Sequence, residues 1–164
     1  MSARSTHWNI LFAILLPLAA ACSPSASNLQ AERWVIFSAQ QAQNMGVASW
    51  VAGSGQTVEY WTPSKDDVLA LENGLADFLQ NESGKFYVQE EPPVWERLDG
   101  YNRQYIGLTV DGRKFIYANF FCDDAAKDWR KDFVLVMDGG SCFFQFKYDP
   151  RKGEFFDLRV NGSA

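Results

Sequence analysis

The clearest pattern of apolar and polar positions lies between Ser64 and Asn81. Apolar residues recur there every three or four positions and share one helical face, which carries Val68, Leu71, Leu75, Phe78 and Leu79. Ser64 precedes this run and Asp67 follows it by three residues, a spacing that caps the first turn of a helix. The segment therefore predicts one main helix that packs on a sheet and ends within residues 81–84.

Several other stretches alternate between apolar and polar residues or form short apolar runs, as strands do. The predicted strands are 47–51, 58–61, 101–110, 113–122, 133–137, 142–148 and 154–160, and 34–37 is either a first strand or the start of a helix. Asp111-Gly112 is a strong hairpin signal, because both residues accept the positive φ angles of a tight turn. The expected fold class is α+β, with one main helix packed on a curved antiparallel sheet of four or more strands.

Because side chains alternate along a strand, residue parity predicts the two faces of this sheet. The face expected under the helix is almost entirely apolar and carries Ile106, Leu108, Val110, Ile116, Ala118, Phe120, Cys122, Cys142, Phe144, Phe146, Phe156, Leu158 and Val160. The opposite face mixes aromatic and charged residues and carries Arg103, Tyr105, Phe115, Tyr117, Asn119, Phe121, Phe143, Gln145, Lys147, Phe155, Asp157 and Arg159.

The mixed face has two interpretations. In the first, the N-terminal strands or the Pro92-Pro93 segment cover it, and its aromatic residues form cross-strand pairs that support the sheet. In the second, it is an exposed surface for a partner protein, because Tyr, Phe and Arg are effective interface residues. The contacts expected in that case are Arg103, Tyr105, Tyr117, Phe143 and Lys147.

The N-terminus carries the pattern of an export signal. Arg4 precedes a short apolar core at residues 10–18, and three alanines stand directly before Cys22. The run is shorter than the about 20 apolar residues that span a bilayer. It resembles the signal peptide and lipobox of bacterial lipoproteins, with Leu18 four residues before the cysteine where the strongest motifs have it three before. Plain secretion and an uncleaved anchor are the alternatives.

The resemblance implies cleavage before Cys22, lipid on its thiol and attachment to a membrane. The chain then divides into a signal peptide (1–21), a lipidated cysteine with a flexible tether (22–31) and a single globular domain (32–164). Ser23 after the cysteine resembles outer-membrane lipoproteins of Gram-negative bacteria, so we expect the periplasmic face of that membrane.

Composition narrows the chemistry of the mature chain. Cleavage leaves 143 residues with 14 basic and 20 acidic side chains, a net charge of −6, which argues against a nucleic-acid partner. His7 is the one histidine of the sequence and leaves with the signal, which removes histidine-based catalysis and imidazole metal ligands. We therefore expect no catalytic residue, no metal and no cofactor, and a binding protein instead of an enzyme.

Cys122 and Cys142 remain as an even pair and predict a disulfide in an oxidising compartment. Such a bond favours a strand from Cys142 lying beside the strand that ends at Cys122. The residues between the two cysteines, here called the excursion, would then form a segment closed by the disulfide. Two free redox thiols are the alternative, but the Cys-x-x-Cys spacing is missing.

Carboxylates are the remaining candidates for catalysis. Asp66-Asp67, Glu90-Glu91 and Asp123-Asp124 are adjacent pairs, whereas glycoside hydrolysis needs two carboxyl groups about 5 to 10 Å apart across a cleft. Neighbours on a strand point to opposite faces, so no pair meets this need alone. Asp123, Asp124 and Asp128 could bind calcium, although the spacing of an EF-hand loop is absent.

Two further resemblances concern the fold. A helix on an antiparallel sheet, over residues 64–160, resembles the cystatin-like and nuclear-transport-factor-like architectures. Residues 101–105 and 138–140 resemble stretches of small secreted bacterial proteins. Neither resemblance implies an activity.

The leading functional hypothesis is a lipid-anchored envelope protein that binds another macromolecule. One version is an inhibitor or immunity-type protein directed against a periplasmic hydrolase. The second hypothesis is an envelope-maintenance protein that binds peptidoglycan or a small apolar ligand in a cavity under the helix. The third is a carboxylate-dependent hydrolase.

Overall fold

The computed structural model describes residues 33–87, 90–122 and 128–162. The signal-like run, Cys22 and the tether lie outside the described residues. The strands are β1 (Trp34–Ile36), β2 (Val58–Trp61), β3 (Asn102–Val110), β4 (Arg113–Phe121), β5 (Phe143–Asp149) and β6 (Glu154–Val160). The helices are α1 (Ala39–Asn44), α2 (Ala48–Val51) and α3 (Lys65–Asn81), and short 3-10 turns lie at Ser83–Lys85, Val94–Glu96, Leu98–Gly100 and Gly140–Cys142.

The six strands form one sheet built around β3. On one side β3 pairs with β4, and β5 and β6 follow, all antiparallel. The other edge of β3 is shared by β1, which is parallel to residues 103–105, and by β2, which is antiparallel to residues 107–110. The expectation of one main helix with a sheet of four or more strands is confirmed, and β1 is the exception to the predicted antiparallel pairing.

The main helix, α3, begins and ends where the sequence predicts. The Ser64 hydroxyl accepts a hydrogen bond from the Asp67 N–H, and the Asp67 carboxylate accepts one from the Ser64 N–H at 3.0 Å, so the capping box is complete. The buried residues of the helix are Val68, Leu71, Leu75 and Leu79. Phe78 adds a stacked contact with Phe155, with ring centroids 4.7 Å apart. Burial of this stripe holds α3 on the sheet.

The face of the sheet that packs against α3, here the helix side, carries a closely packed aromatic layer. Phe120 stacks on Phe144 with centroids 4.8 Å apart and meets Tyr105 edge-on at 6.2 Å. Phe146 lies 5.4 Å from Phe120, and all four rings are fully buried. Ring pairs of this kind add about 0.5–1.5 kcal/mol each beyond the burial of their area. This layer is the main core.

The predicted faces of β3 are wrong. Tyr105 lies opposite Ala118 on the helix side, and Arg103 shares that side. The β3 residues that face away from α3 are Ile106, Leu108 and Val110. The reason is the turn, because Asp111 and Gly112 form a two-residue loop with φ angles of 49° and 82°. A two-residue loop pairs even-numbered residues of β3 with odd-numbered residues of β4.

A bulge changes the predicted faces of β6 as well. Its pairing with β5 shifts between Gln145 and Lys147, and Asp157 adopts a left-handed backbone with φ of 55°. Phe155 therefore packs with the main core on the helix side, whereas Phe156 faces the other way. Both rings thus lie on the faces opposite to those predicted from the sequence.

The predicted disulfide joins Cys122 to Cys142. The Cys122 N–H donates to the Cys142 carbonyl at 3.0 Å, and Phe121 pairs with Phe143, so β5 lies beside β4 as the bond requires. The residues between the cysteines form the excursion, of which the structure describes 128–141.

Two predicted strands are wrong. Residues 47–51, predicted as a strand, contain the one-turn helix α2, while β1 and β2 occupy the edge of β3. Residues 133–137 belong to the excursion and are irregular. Their backbone groups bond to side chains instead of to a neighbouring strand, as shown below.

The face of the sheet opposite α3, here the groove side, is only partly covered. Phe37, Ala42 and Val47 from the α1 region pack over Ile106 and Leu108. The N-terminal segment thus covers this part, as a helix and not as the predicted strands. The Pro92-Pro93 segment gives no cover here, since the residues that follow it, Val94 and Trp95, pack with the core on the helix side.

Candidate binding groove

The uncovered part of the groove side is a cavity of about 330 Å³. Its floor consists of residues from β4, β5 and β6, one wall comes from α2 and the other from the excursion. The volume lies at the lower end of the range of about 300–1,000 Å³ that is usual for ligand sites. We call this cavity the groove.

Three charged residues lie on the groove floor. The Lys147 Nζ is 2.7 Å from Oδ2 of Asp157. Arg159 binds the same carboxylate through two nitrogens, with Nε 3.2 Å from Oδ1 and Nη2 3.2 Å from Oδ2. Burial alone would raise the pKa of Asp157, but the hydrogen bonds and charges of Lys147 and Arg159 outweigh it and lower that pKa. Asp157 is therefore an ionised carboxylate that positions two cations.

Tyr117 completes the charged part of the floor. Burial raises the pKa of Tyr117 to about 12, while the nearby Arg159 acts to lower it and Asp157 to raise it. The hydroxyl therefore keeps its proton at neutral pH. No hydrogen bond joins it to any residue of the described ranges, so it offers a donor to the groove.

The first wall is α2, which β2 holds in place. The Ala48 N–H at the start of α2 donates to the Tyr60 hydroxyl at 3.1 Å. Val51 packs against the apolar cluster under α1, and Trp50, which lines the groove, is 57% exposed. A short helix thus places a large aromatic side chain at the rim.

The second wall is the excursion, which two side-chain amides hold to the sheet. The Gln104 Nε2 donates to the carbonyls of Trp129 at 2.6 Å and Asp132 at 2.8 Å, and its Oε1 accepts the Val134 N–H at 3.0 Å. The Asn119 Nδ2 donates to the Val134 carbonyl at 2.8 Å and to the Gln104 Oε1 at 3.0 Å. These bonds satisfy backbone groups that a strand would pair with another strand.

A third amide fixes the far end of this wall. The Asn161 Nδ2 donates to the carbonyls of Val136 at 2.7 Å and Asp138 at 3.0 Å. Leu135 and Met137, on either side of Val136, line the groove and are 42% and 79% exposed. The amides thus fix the backbone while two apolar side chains stay accessible.

A smaller hollow of about 170 Å³ lies next to the groove. The two cavities share Val51 and Lys147 in their linings. The smaller one adds Arg113, whose guanidinium carbon lies 3.6 Å from the centroid of the Phe156 ring. Among the described residues Arg113 has no ion-pair partner. The hollow therefore places a further cation next to the groove.

Three of the five predicted contacts lie on the groove side. Tyr117 and Lys147 line the groove. Phe143 packs instead against the turn at Gly139, where a side chain would come within 2.6 Å of its ring. Gly139 has a φ of 89°, which also favours glycine.

The other two predicted contacts, Arg103 and Tyr105, are buried on the helix side, which corrects their placement on a partner surface. Arg103 Nε lies 3.1 Å from Oε1 of Glu72, at an angle that makes the contact an ion pair and not a hydrogen bond. The Tyr105 hydroxyl donates to the same carboxylate. Burial raises the pKa of Glu72 despite the opposing charge of Arg103. This cluster joins α3 to β3 and lies inside the fold.

The groove residues that the sequence analysis missed are those of its walls. Trp50, Leu135 and Met137 come from segments predicted as strands, and their common location depends on tertiary structure. Arg159 and Asp157 were placed on the correct face but not among the contacts. One signal was present, since the sequence placed Asp157 and Arg159 on the same predicted face of the sheet as the cation Lys147.

Neither a metal site nor a membrane-spanning helix is found in the described ranges. No three His, Cys, Asp or Glu residues there could hold a metal ion together. None of the helices there has the length and apolar character to cross a bilayer. Asp123 and Asp124, considered above as calcium ligands, lie outside the described residues, and Asp128 pairs with Lys131 at 3.8 Å.

Comparison of the chain with protein-family models, with curated proteins and with solved structures finds no match.

Proposed function

We propose that this chain is a lipid-anchored protein of the cell envelope that binds a segment of another protein in the groove. The observation that carries the proposal is the groove itself. Exposed Trp50, Leu135 and Met137 surround a floor that offers a tyrosine hydroxyl and two cations. Interfaces combine apolar and aromatic anchors with a polar surround in this way. An inhibitor or immunity-type protein directed against a periplasmic hydrolase is the version we favour.

The envelope location is supported by the N-terminal sequence and by the disulfide. Residues 8–22 resemble a lipoprotein signal, and Cys122–Cys142 suits an oxidising compartment. Intact mass of protein extracted from membranes tests this part. We expect loss of residues 1–21 and added lipid on Cys22. A mass that equals the complete chain with Met1 would contradict it.

A small ligand is the second candidate, and the volume of the groove favours it. The cavity lies on the groove side, not under α3 where the sequence analysis placed it. Its charged floor suits a polar ligand such as a peptidoglycan fragment better than an apolar one. Such a ligand would fill the floor and leave Met137, at the rim, accessible, whereas a protein segment would cover it.

The groove gives little support to the third candidate, a carboxylate-dependent hydrolase. That reaction needs two converging carboxyl groups, one of them with a raised pKa. Asp157 is the one carboxylate among the described residues that line the groove, and its pKa is lowered. Glu72 has a raised pKa but lies in the ion pair on the helix side.

The finer architecture remains part of this proposal. A cystatin-like or nuclear-transport-factor-like arrangement is compatible with one long helix on a sheet. It carries none of the functional argument, because one fold serves many functions.

Photocrosslinking at matched positions tests the proposed surface. A photoreactive phenylalanine replaces Leu135 in the groove wall, which is 42% exposed, or Leu69 on α3, which is 38% exposed. A second pair is Met137 in the groove at 79% and Tyr87 outside it at 81%. In intact cells we expect both groove positions to capture the same protein and both control positions to capture none.

Two results would count against the surface. Capture of the same protein at Leu69 or Tyr87 would place the interface elsewhere. Absence of a protein adduct at both groove positions, with a covalent adduct of added peptidoglycan fragments at position 135, would favour the small ligand. Leu135→Arg should abolish capture at Met137, whereas Leu69→Arg should leave it unchanged.

A further inference from the structure

Building on the proposed function, we propose that the segment bound in the groove presents an acidic side chain, Asp or Glu, beside an apolar side chain. The partner of this groove is thus an extended, internal stretch of a protein with one carboxylate that the floor receives.

The charge of the groove differs in sign from that of the chain. The chain has 15 basic and 20 acidic side chains. Among the described residues, the groove and its adjoining hollow are lined by Arg113, Lys147 and Arg159 against the single carboxylate of Asp157. A local excess of cations on an acidic protein selects an anionic ligand and repels a cationic one.

The floor also has donors left over for that anion. Asp157 engages Nε and Nη2 of Arg159, which leaves the Nη1 group of a side chain that is 66% exposed. The Tyr117 hydroxyl has no partner among the described residues and stays protonated, since its pKa is raised to about 12. Arg159 and Tyr117 both line the groove, and the charge of Arg159 acts to lower the pKa of Tyr117. A carboxylate can accept from both.

The rim explains the apolar neighbour of the acid. Trp50 stands on one wall and Leu135 and Met137 on the other, so an apolar side chain can enter between them. The flexible methionine can adjust to the shape of that side chain, and the tryptophan ring offers it a large apolar surface. An anion without an apolar neighbour would leave these three side chains in water.

The shape and the donors favour an internal segment over a chain end. Recognition of a terminal carboxylate commonly uses a nest of backbone N–H groups. The donors of this floor are the side chains of Arg159, Lys147 and Tyr117. The two cavities adjoin at Val51 and Lys147, and an extended chain could lie across both.

Selection from peptide libraries on the full-length, detergent-solubilised protein tests this inference. One library holds random heptapeptides between constant Gly-Ser flanks, and the other holds heptapeptides that end in a free carboxylate. We expect the first to enrich Asp or Glu next to Leu, Ile, Met or Phe. Arg159→Gln should weaken the enriched peptides at least about tenfold, as the loss of a charged hydrogen bond does.

The matched control is Arg151→Gln, which removes an exposed arginine in the turn between β5 and β6 and should leave affinity unchanged. Arg159→Gln keeps the Lys147–Asp157 pair, so a fold preserved by circular dichroism is expected. Enriched peptides that lose binding with Leu135→Arg but lack acidic residues would overturn the acidic preference and leave the proposed function intact.

Two other results of the library selection would overturn part or all of this inference. Enrichment only in the library with free carboxylates would overturn the internal segment. A failure of both libraries to give peptides sensitive to Leu135→Arg would overturn the inference as a whole. The proposed function is judged separately, by crosslinking at Leu135 against Leu69.

Discussion

The helix side and the groove side of one sheet are closed by different means. On the helix side, α3 is a regular element whose backbone bonds are internal, so apolar rings such as Phe120 and Phe144 can fill the space beneath it. On the groove side, the excursion is irregular, and Gln104 and Asn119 must turn toward it to bond its backbone. Gln104 and Asn119 are themselves buried, and the groove lies between the excursion that they hold and α2.

The acidic residues repeat this contrast. Glu72 on the helix side is largely buried with Arg103, and burial raises its pKa. Asp157 on the groove side is more accessible, and two cations lower its pKa. Buried ion pairs add little net stability but are costly to break, by about 3–5 kcal/mol when one partner is removed. The Glu72–Arg103 pair therefore joins α3 to the sheet, whereas Asp157 positions the cations of the groove floor.

The largest expected effect is on the helix side. Phe120→Ala should lower the free energy of unfolding by about 3–5 kcal/mol, because a fully buried ring is replaced by a cavity. Met137→Ala on the groove rim should change it by less than about 0.5 kcal/mol, since that side chain is exposed. Urea unfolding of both variants measures the difference. Similar losses would mean that the rim is part of the core.

The disulfide should have the next largest effect. Replacing Cys122 and Cys142 by serine should cost about 3 kcal/mol, since the bond closes a loop with a separation of 20 residues. We expect the groove to suffer more than the core, because the excursion lies within that loop. Hydrogen exchange should therefore rise at Val134 more than at Phe144. A uniform rise would show that the bond holds both sides equally.

Loss of a side-chain amide should lower the free energy of unfolding less than loss of the disulfide, and its main effect should be on the order of the excursion. Asn119→Ala removes donors to the Val134 carbonyl and to the Gln104 Oε1, and should cost about 1–3 kcal/mol. The Gln104→Ala variant should also expose the Val134 N–H, which would then exchange rapidly. Gln56→Ala, which loses a bond to Asp111 on the exposed hairpin, is the control and should leave Val134 protected.

The smallest expected effect is on the pH dependence of stability. Glu72 holds its proton more tightly when folded, so its contribution is present below its unfolded pKa and is lost as the pH rises through the raised folded value. Asp157 contributes above its unfolded pKa and loses that contribution as the pH falls through its lowered value. Carboxyl NMR titration should find Glu72 above and Asp157 below their ordinary ranges. The reverse order would contradict the contrast between the two sides.

The regular elements could be predicted because their signals are local. The capping box at Ser64 and the apolar stripe define α3, and Asp111-Gly112 defines the hairpin between β3 and β4. The faces of β3 were also predictable, since a two-residue turn dictates the pairing of Val110 with Arg113. Applying that pairing would have placed Tyr105 in the core.

The groove could not be predicted because its walls are defined by tertiary contacts. Residues 133–137 have the apolar composition of a strand. Their irregular backbone bonds instead to the side chains of Gln104, Asn119 and Asn161, which are distant in sequence. Residues 48–51 form a helix whose first N–H, that of Ala48, bonds to the hydroxyl of Tyr60 on β2. The tertiary contacts of these two segments cannot be predicted from their local sequence.

Hydrogen exchange of the protein bound to its captured partner tests the central claim most directly. If the groove is the binding surface, protection should increase in residues 48–51 and 133–137 and stay unchanged in residues 65–81. Increased protection along α3, with none in the two groove walls, would contradict the account.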